Sequence, residues 1–194
     1  MYENKLILKS LTILGISLVF AIIIPIVWVL FVNPKVEITV TNASLTQFNL
    51  NSNNHTLYYN LALDVALRNP SPTFRLHYER IEVTAKYREE RFALVTLTLL
   101  PLNQGTKITT ILHPVLQGQS FVRFSEHDLF EFDLETAEGV CSIDVQVSFH
   151  MSRRILKGIV YKPRGMCMLK VPLSSNQTRT ASSFKATECA VRRH

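Results

Sequence analysis

Six histidines, at positions 55, 77, 113, 127, 150 and 194, are the residues of this chain best suited to proton transfer or metal binding. Their spacing supports neither chemistry. None stands in an H-E-x-x-H pair, and no two lie close enough in sequence to share a metal from one face of a local element. Gly118-Gln119-Ser120-Phe121 resembles part of a nucleophile elbow but lacks the second glycine that lets such a turn close under the serine. All six glycines are isolated, so no phosphate-cradling loop or dinucleotide fingerprint is encoded. The three cysteines, Cys141, Cys167 and Cys189, form no C-x-x-C, which excludes a zinc ribbon and a thioredoxin-type redox motif. In an oxidising compartment two of them could pair and leave one odd thiol. The reading is therefore not an enzyme, with no catalytic residue, metal or cofactor.

What must position the remaining features begins at the N-terminus. Residues 10–32, SLTILGISLVFAIIIPIVWVLFV, carry no charge. At roughly 1.5 Å per helical residue such a run reaches about 35 Å, against a hydrocarbon core about 30 Å thick. A cleaved signal peptide has a shorter apolar core and a small-x-small site, which Val29-Leu30-Phe31-Val32-Asn33 does not offer. The expectation is a single transmembrane signal anchor, embedded in the lipid bilayer through residues 10–32. Lys5 and Lys9 before the run, against Lys35 close after it, put residues 1–9 in the cytosol and the rest outside, a type II topology at the plasma membrane. Three N-glycosylation sequons, at Asn42, Asn54 and Asn176, follow the run and permit an outside domain.

Beyond the anchor, period-two alternation dominates. Leu57, Tyr59, Leu61, Leu63, Val65 and Leu67 alternate with smaller or more polar residues, the signature of a half-buried strand. Val36, Ile38 and Val40 repeat it, as do Ile81, Val83, Ala85 and Tyr87, and Ile143 through Met151. Further strands are expected near 92–99, 106–115, 158–162 and 166–172, with turns at Asn69-Pro70-Ser71-Pro72, Arg88-Glu89-Glu90-Arg91, Asn103-Gln104-Gly105 and Gly165. One segment departs from that period. Ser125-Glu126-His127-Asp128 has the form of a capping box, and Gly139 stands where a helix over the following turns would stop. Six acids lie between Glu126 and Glu138, read as a solvated helix face. From Arg153 to the end there are ten Lys or Arg and one acid, Glu188. Arg153, Arg154 and Lys157 are the candidate contacts to anionic lipid, although a solvated strand face with a loose tail is the simpler reading of such a run. Nucleic acid is excluded as a partner by the expected anchored, outward placement.

These elements carry a resemblance. Arg68-Asn69-Pro70-Ser71 is similar to the R-N-P-N turn of the plant late-embryogenesis-abundant group two domain, found in the harpin-induced, non-race-specific disease resistance family. Tyr78-Glu79-Arg80-Ile81-Glu82-Val83 resembles its Y-D-x-L-x-V strand, and Gln104-Gly105-Thr106-Lys107-Ile108-Thr109-Thr110 its Q-G-x-K-x-T-T segment. Pro114-Val115-Leu116 with Gly118-Gln119, Lys162-Pro163 with Cys167 to Leu173, and Thr187-Glu188-Cys189-Ala190-Val191 complete six motifs in order. Ser71, Met168 and Cys141 depart from the pattern. The resemblance implies a lone β-sandwich at the plasma membrane with a role in plant defence, the hypersensitive response or stress. It also implies a Cys167–Cys189 disulfide, closing a loop of roughly twenty residues worth about 3 kcal/mol in the chain-entropy model. Strand pairing could instead bring Cys141 beside Cys167.

The expected fold is therefore all-β, a β-sandwich of about seven to nine antiparallel strands with one short helix, preceded by a single N-terminal transmembrane helix. Residues 33–173 form the sandwich, and 174–194 a loosely ordered Ser/Thr-rich tail. The expected function is non-enzymatic binding of an unknown protein partner, anionic lipid or a cell-wall polymer. Lipid handling by the basic strands and a small type II membrane enzyme are the alternatives.

Overall fold

The computed structural model describes residues 2–31, 35–97, 102–153, 156–174 and 184–192. In chain order the elements are α1 (Tyr2–Phe31), β1 (Glu37–Asn51), β2 (Thr56–Arg68), β3 (Leu76–Tyr87), β4 (Glu90–Leu97), β5 (Leu102–Gln104), β6 (Thr109–Leu112), β7 (Val115–Phe121), α2 (Glu126–Glu138), β8 (Val140–Arg153), β9 (Leu156–Tyr161), β10 (Arg164–Pro172), β11 (Thr187–Glu188) and β12 (Ala190–Arg192). They divide into two compact units, residues 1–34 and 35–194.

The first unit corrects the expected architecture. α1 is a helix with Pro25 inside it, but among the described residues no helix is long and apolar enough to cross a membrane. The expected transmembrane helix over 10–32 is therefore not supported, and the described fold is mostly antiparallel sheet with two helices.

The second unit holds two antiparallel sheets. Sheet one has the order β11-β1-β2-β6, with β7 also on β2; sheet two has the order β12-β10-β8-β3-β4, with β5 on β3 and β9 on β8. Among the described residues that makes twelve strands, beyond the seven to nine expected, because the long β2, β3 and β8 each take several short partners end to end. Alternation decides what each strand buries. Leu57, Tyr59, Leu61, Leu63, Val65 and Leu67 face the core from sheet one, and Ile143, Val145, Val147, Phe149 and Met151 meet them from sheet two. β1 reaches the same core with apolar residues spaced two apart except at two points, Val40 to Ala43 and Leu45 to Phe48, and a β-bulge lies at each. The extra residue restores the phase of the pleat. At Gly165 of sheet two an added Cβ would overlap Ile38 Cδ1 of sheet one.

α2 forms where the capping signal stands. Ser125 Oγ accepts from Asp128 N–H, the Asp128 carboxylate accepts from the Ser125 N–H, and Gly139 ends the helix in the left-handed region. Its acids are only partly a solvated face. Arg88, in the turn before β4, donates to Glu131 at 2.9 Å and Glu135 at 3.1 Å, and the other Glu135 oxygen accepts the Ser142 N–H at 2.9 Å. Phe132 then packs against Phe48, Tyr87 and Phe124.

Two buried amides tie the sheets together. Asn69 is fully buried and Gln104 nearly so. Asn69 Nδ2 donates to Phe74 O at 2.8 Å and Gly105 O at 2.9 Å, while its Oδ1 accepts the Ser71 N–H. Gln104, in sheet two, donates to Leu67 O of sheet one at 2.8 Å and to Ile108 O at 3.1 Å, with Thr110 Oγ1 at 3.2 Å, and accepts from the Tyr78 hydroxyl at 2.9 Å. Gln104→Leu keeps a side chain of similar size but takes away the acceptor of the buried Tyr78 hydroxyl and the amide donor to Leu67 O. It should cost about 2–4 kcal/mol, read as a lower urea midpoint with unchanged slope.

Candidate binding face

Because β2 buries its odd-numbered residues, its even-numbered ones form an outer surface. The register with β1 and β7 sets three rows there: Asn49–Tyr58–Gln119, Gln47–Asn60–Gln117 and Ser44–Ala62–Val115. None of these side chains is charged, on a chain whose net charge is +6. Gln47, Asn49, Gln117 and Gln119 are exposed and Tyr58 and Asn60 half-buried. With strands about 4.8 Å apart and rows about 6.7 Å apart, the patch is about 10 Å by 13 Å. Each amide offers two N–H donors and one carbonyl acceptor. Among the described contacts, none of these five amides uses its side chain in an internal hydrogen bond. The surface is therefore an array of donors and acceptors around one aromatic ring, able to bind polar, uncharged groups.

A charged cluster closes one end. Asp64 follows Ala62 along β2, and its two oxygens accept from His113 Nδ1 at 2.7 Å and from Asn42 Nδ2 at 3.3 Å. Hydrogen bonding by His113 is the largest cause holding the Asp64 carboxyl below its ordinary range. At the other end the exposed Phe121 meets His55 edge-on, and Arg123 lies over its ring.

The residues singled out from sequence fall in several places. Asn42 is exposed beside the first bulge of β1, and its sequon partner Ser44 belongs to the face. Asn54 lies in the turn between β1 and β2, where its Oδ1 accepts the Thr56 N–H at 3.2 Å; Asn176 lies outside the described residues. Arg153 ends β8 and Lys157 lies in β9, but their side chains are not among those described, and Arg154 is outside the described residues altogether. Cys167 and Cys189 are joined by a disulfide. Cys141 is a buried free thiol, pushed up to about 12 by burial and the nearby Glu135 carboxylate. The rows Asn49–Gln119 and Gln47–Gln117 were missed in the sequence. The alternation of residues 57–67 marks Tyr58 and Asn60 as outward, but the strands flanking them are known only from register. Among the described residues no group of His, Cys, Asp or Glu could hold a metal ion.

The Asp64 linkage gives a pH test. Its folded value lies below its unfolded one, so its contribution is present above about pH 4 and is lost as pH falls through the folded value. Solvent screening keeps it below about 1 kcal/mol. Urea midpoints of the protein and of Asp64→Asn should differ slightly at pH 6 and converge as the pH is lowered past 4.

No protein-family profile matches the chain. Among curated proteins it is similar to NDR1/HIN1-like protein 10 of Arabidopsis thaliana, 38% identical over 191 residues, covering 95% of this chain and 80% of that one. It is also similar to NDR1/HIN1-like protein 3 of the same plant, 31% identical over 178 residues, covering 91% and 76%. Solved structures are more distant. A crystal structure from Archaeoglobus fulgidus aligns with TM-score 0.39 and 11% identity over 70% of this chain and 98% of that one. A solution structure from Arabidopsis thaliana aligns with TM-score 0.36 and 14% identity over 72% and 84%.

Proposed function

This chain belongs to the NDR1/HIN1-like family, whose members fit a plant defence or stress role, and we propose that within this role it is a non-enzymatic binding protein. The observation that carries the reading is the charge-free amide face of sheet one. Surface amides with unspent hydrogen-bonding capacity recognise polar, uncharged groups, and an outer sheet face presents them side by side. Specificity would come from the register of donors and acceptors, with Tyr58 as the apolar contact at the middle. The partner in this reading is a protein surface. The disulfide favours an oxidising compartment for residues 35–194, where exposed sequons such as Asn42 and Asn54 would be open to glycosylation.

The test replaces the neutrality of the face while leaving the core alone. Gln47 and Gln119 are exposed and stand in different rows on different strands, so Gln47→Lys with Gln119→Lys should keep the circular dichroism spectrum and leave the unfolding free energy within about 0.5 kcal/mol. In plant tissue treated with a pathogen elicitor, the doubly substituted chain should lose the protein neighbours labelled by proximity around the unaltered one, and the hypersensitive response it supports should fall. Unchanged neighbours and an unchanged response would sink this use of the face.

A further inference from the structure

Residues 187–192 do something neither the alternation nor the face requires. β11 pairs with β1 of sheet one, Thr39 opposite Glu188 and Val40 opposite Thr187, while β12 pairs with β10 of sheet two. The segment crosses between the sheets at Cys189, whose N–H donates to Ile38 O at 2.9 Å and whose sulfur is bonded to Cys167. It is a strap across one open side of the sandwich. Its non-covalent hold is small: Phe184, Cys189 and Val191 pack against the core, whereas Lys185, Ala186, Glu188, Ala190 and Arg192 are exposed. One of its pairings is unfavourable. Arg192 stands directly opposite Arg164 in the β10–β12 register, and the next strand presents Ser148 there. Like charges directly across a pair of strands repel.

We propose that the Cys167–Cys189 bond is a thiol-operated latch, and that the edges beneath it, Thr39–Val40 and Arg164–Met166, form a docking site for an extended peptide bearing an acidic residue opposite Arg164. Opening needs a dithiol reductant. Its thiolate attacks the sulfur of Cys189, the half-buried residue of the pair, the Cys167–Cys189 bond breaks with Cys167 leaving as the thiolate, and a mixed disulfide forms on Cys189. The second reductant thiol displaces Cys189 and closes the reductant's own disulfide, leaving two thiols on the protein. The freed strap then leaves unpaired N–H and C=O groups on β1 and β10, the template an added strand needs. Charge selects the occupant. An acid where the strap has Arg192 turns the one repulsive pair into an attractive one, so a suitable partner segment competes on better terms than the strap itself.

Hydrogen exchange on the full chain tests both halves. Reduction with dithiothreitol should speed exchange at residues 38–40 and 164–167 by tenfold or more while residues 57–67 keep their protection, and Cys189→Ser should behave like the reduced chain without reductant. Two synthetic peptides spanning residues 184–192 are then added in excess, one with Cys189→Ser and one with Cys189→Ser and Arg192→Glu. The Arg192→Glu peptide should restore protection at the two edges, binding about threefold tighter than the other, and should leave the oxidised chain unaffected. Unchanged exchange on reduction, or loss of protection in residues 57–67 as well, would show that the bond is not a latch. Failure of both peptides to restore protection, or equal binding by both, would overturn the docking site.

Discussion

Gln104 is the point on which the sandwich turns. A carboxamide sealed in an apolar core is tolerated only when its donors and acceptor are all engaged. Here they reach both layers: Leu67 O in sheet one, Tyr78 in sheet two, and Ile108 and Thr110 at the start of β6. The Asn69 amide beside it fixes the Asn69–Phe74 turn and holds it to Gly105, and the Asn69 N–H donates to Ile108 O. These contacts set where β2 ends, where β3 begins and how β6 returns onto β2. Since β6 and β7 both run along β2, the rows of the binding face inherit their register from this knot.

The same knot explains the resemblance noticed in the sequence. Arg68-Asn69-Pro70-Ser71 and the segment beginning Gln104-Gly105 are far apart in the chain and adjacent in the fold. Neither is a site for chemistry. Asn69 and Gln104 are chosen because a buried turn leaves backbone groups that only a primary amide can serve from both ends, one carbonyl accepting and two N–H groups donating. A fold can keep such residues for closure alone while its function lies on a surface several strands away.

Legibility in the sequence followed how local each cause is. The strand over residues 57–67 and that over 143–151 were readable because alternation reports burial directly, and α2 because Ser125, Asp128 and Gly139 act within a turn of themselves. Arg88 was not readable as a clamp on α2, since its partners Glu131 and Glu135 lie some forty residues on, and the acids there look solvated when only composition is counted. The uncharged run at 10–32 was read from composition as a membrane span, whereas among the described residues no helix is long and apolar enough to cross a membrane. β11 and β12 have no alternation long enough to announce a strand. They exist because Cys189 ties the tail to β10, a constraint that spacing among three cysteines leaves open.

Two closures thus act on one sandwich by different physics. The Gln104–Asn69 knot is buried, neutral and made of bonds that break only when the core opens, so it has one state under any condition in which the domain is folded. The strap is covalent at a single half-buried point and weak elsewhere, so its state follows the redox poise around it rather than the stability of the core. The outer rows of sheet one lie between Ser44 and Gln119, clear of Thr39 and Val40, where the strap pairs with β1. A change at the strap would therefore alter the edge of that sheet without disturbing the register of its face. The division lets a rigid scaffold carry a constant polar surface and a conditional edge at once, because each depends on a different interaction.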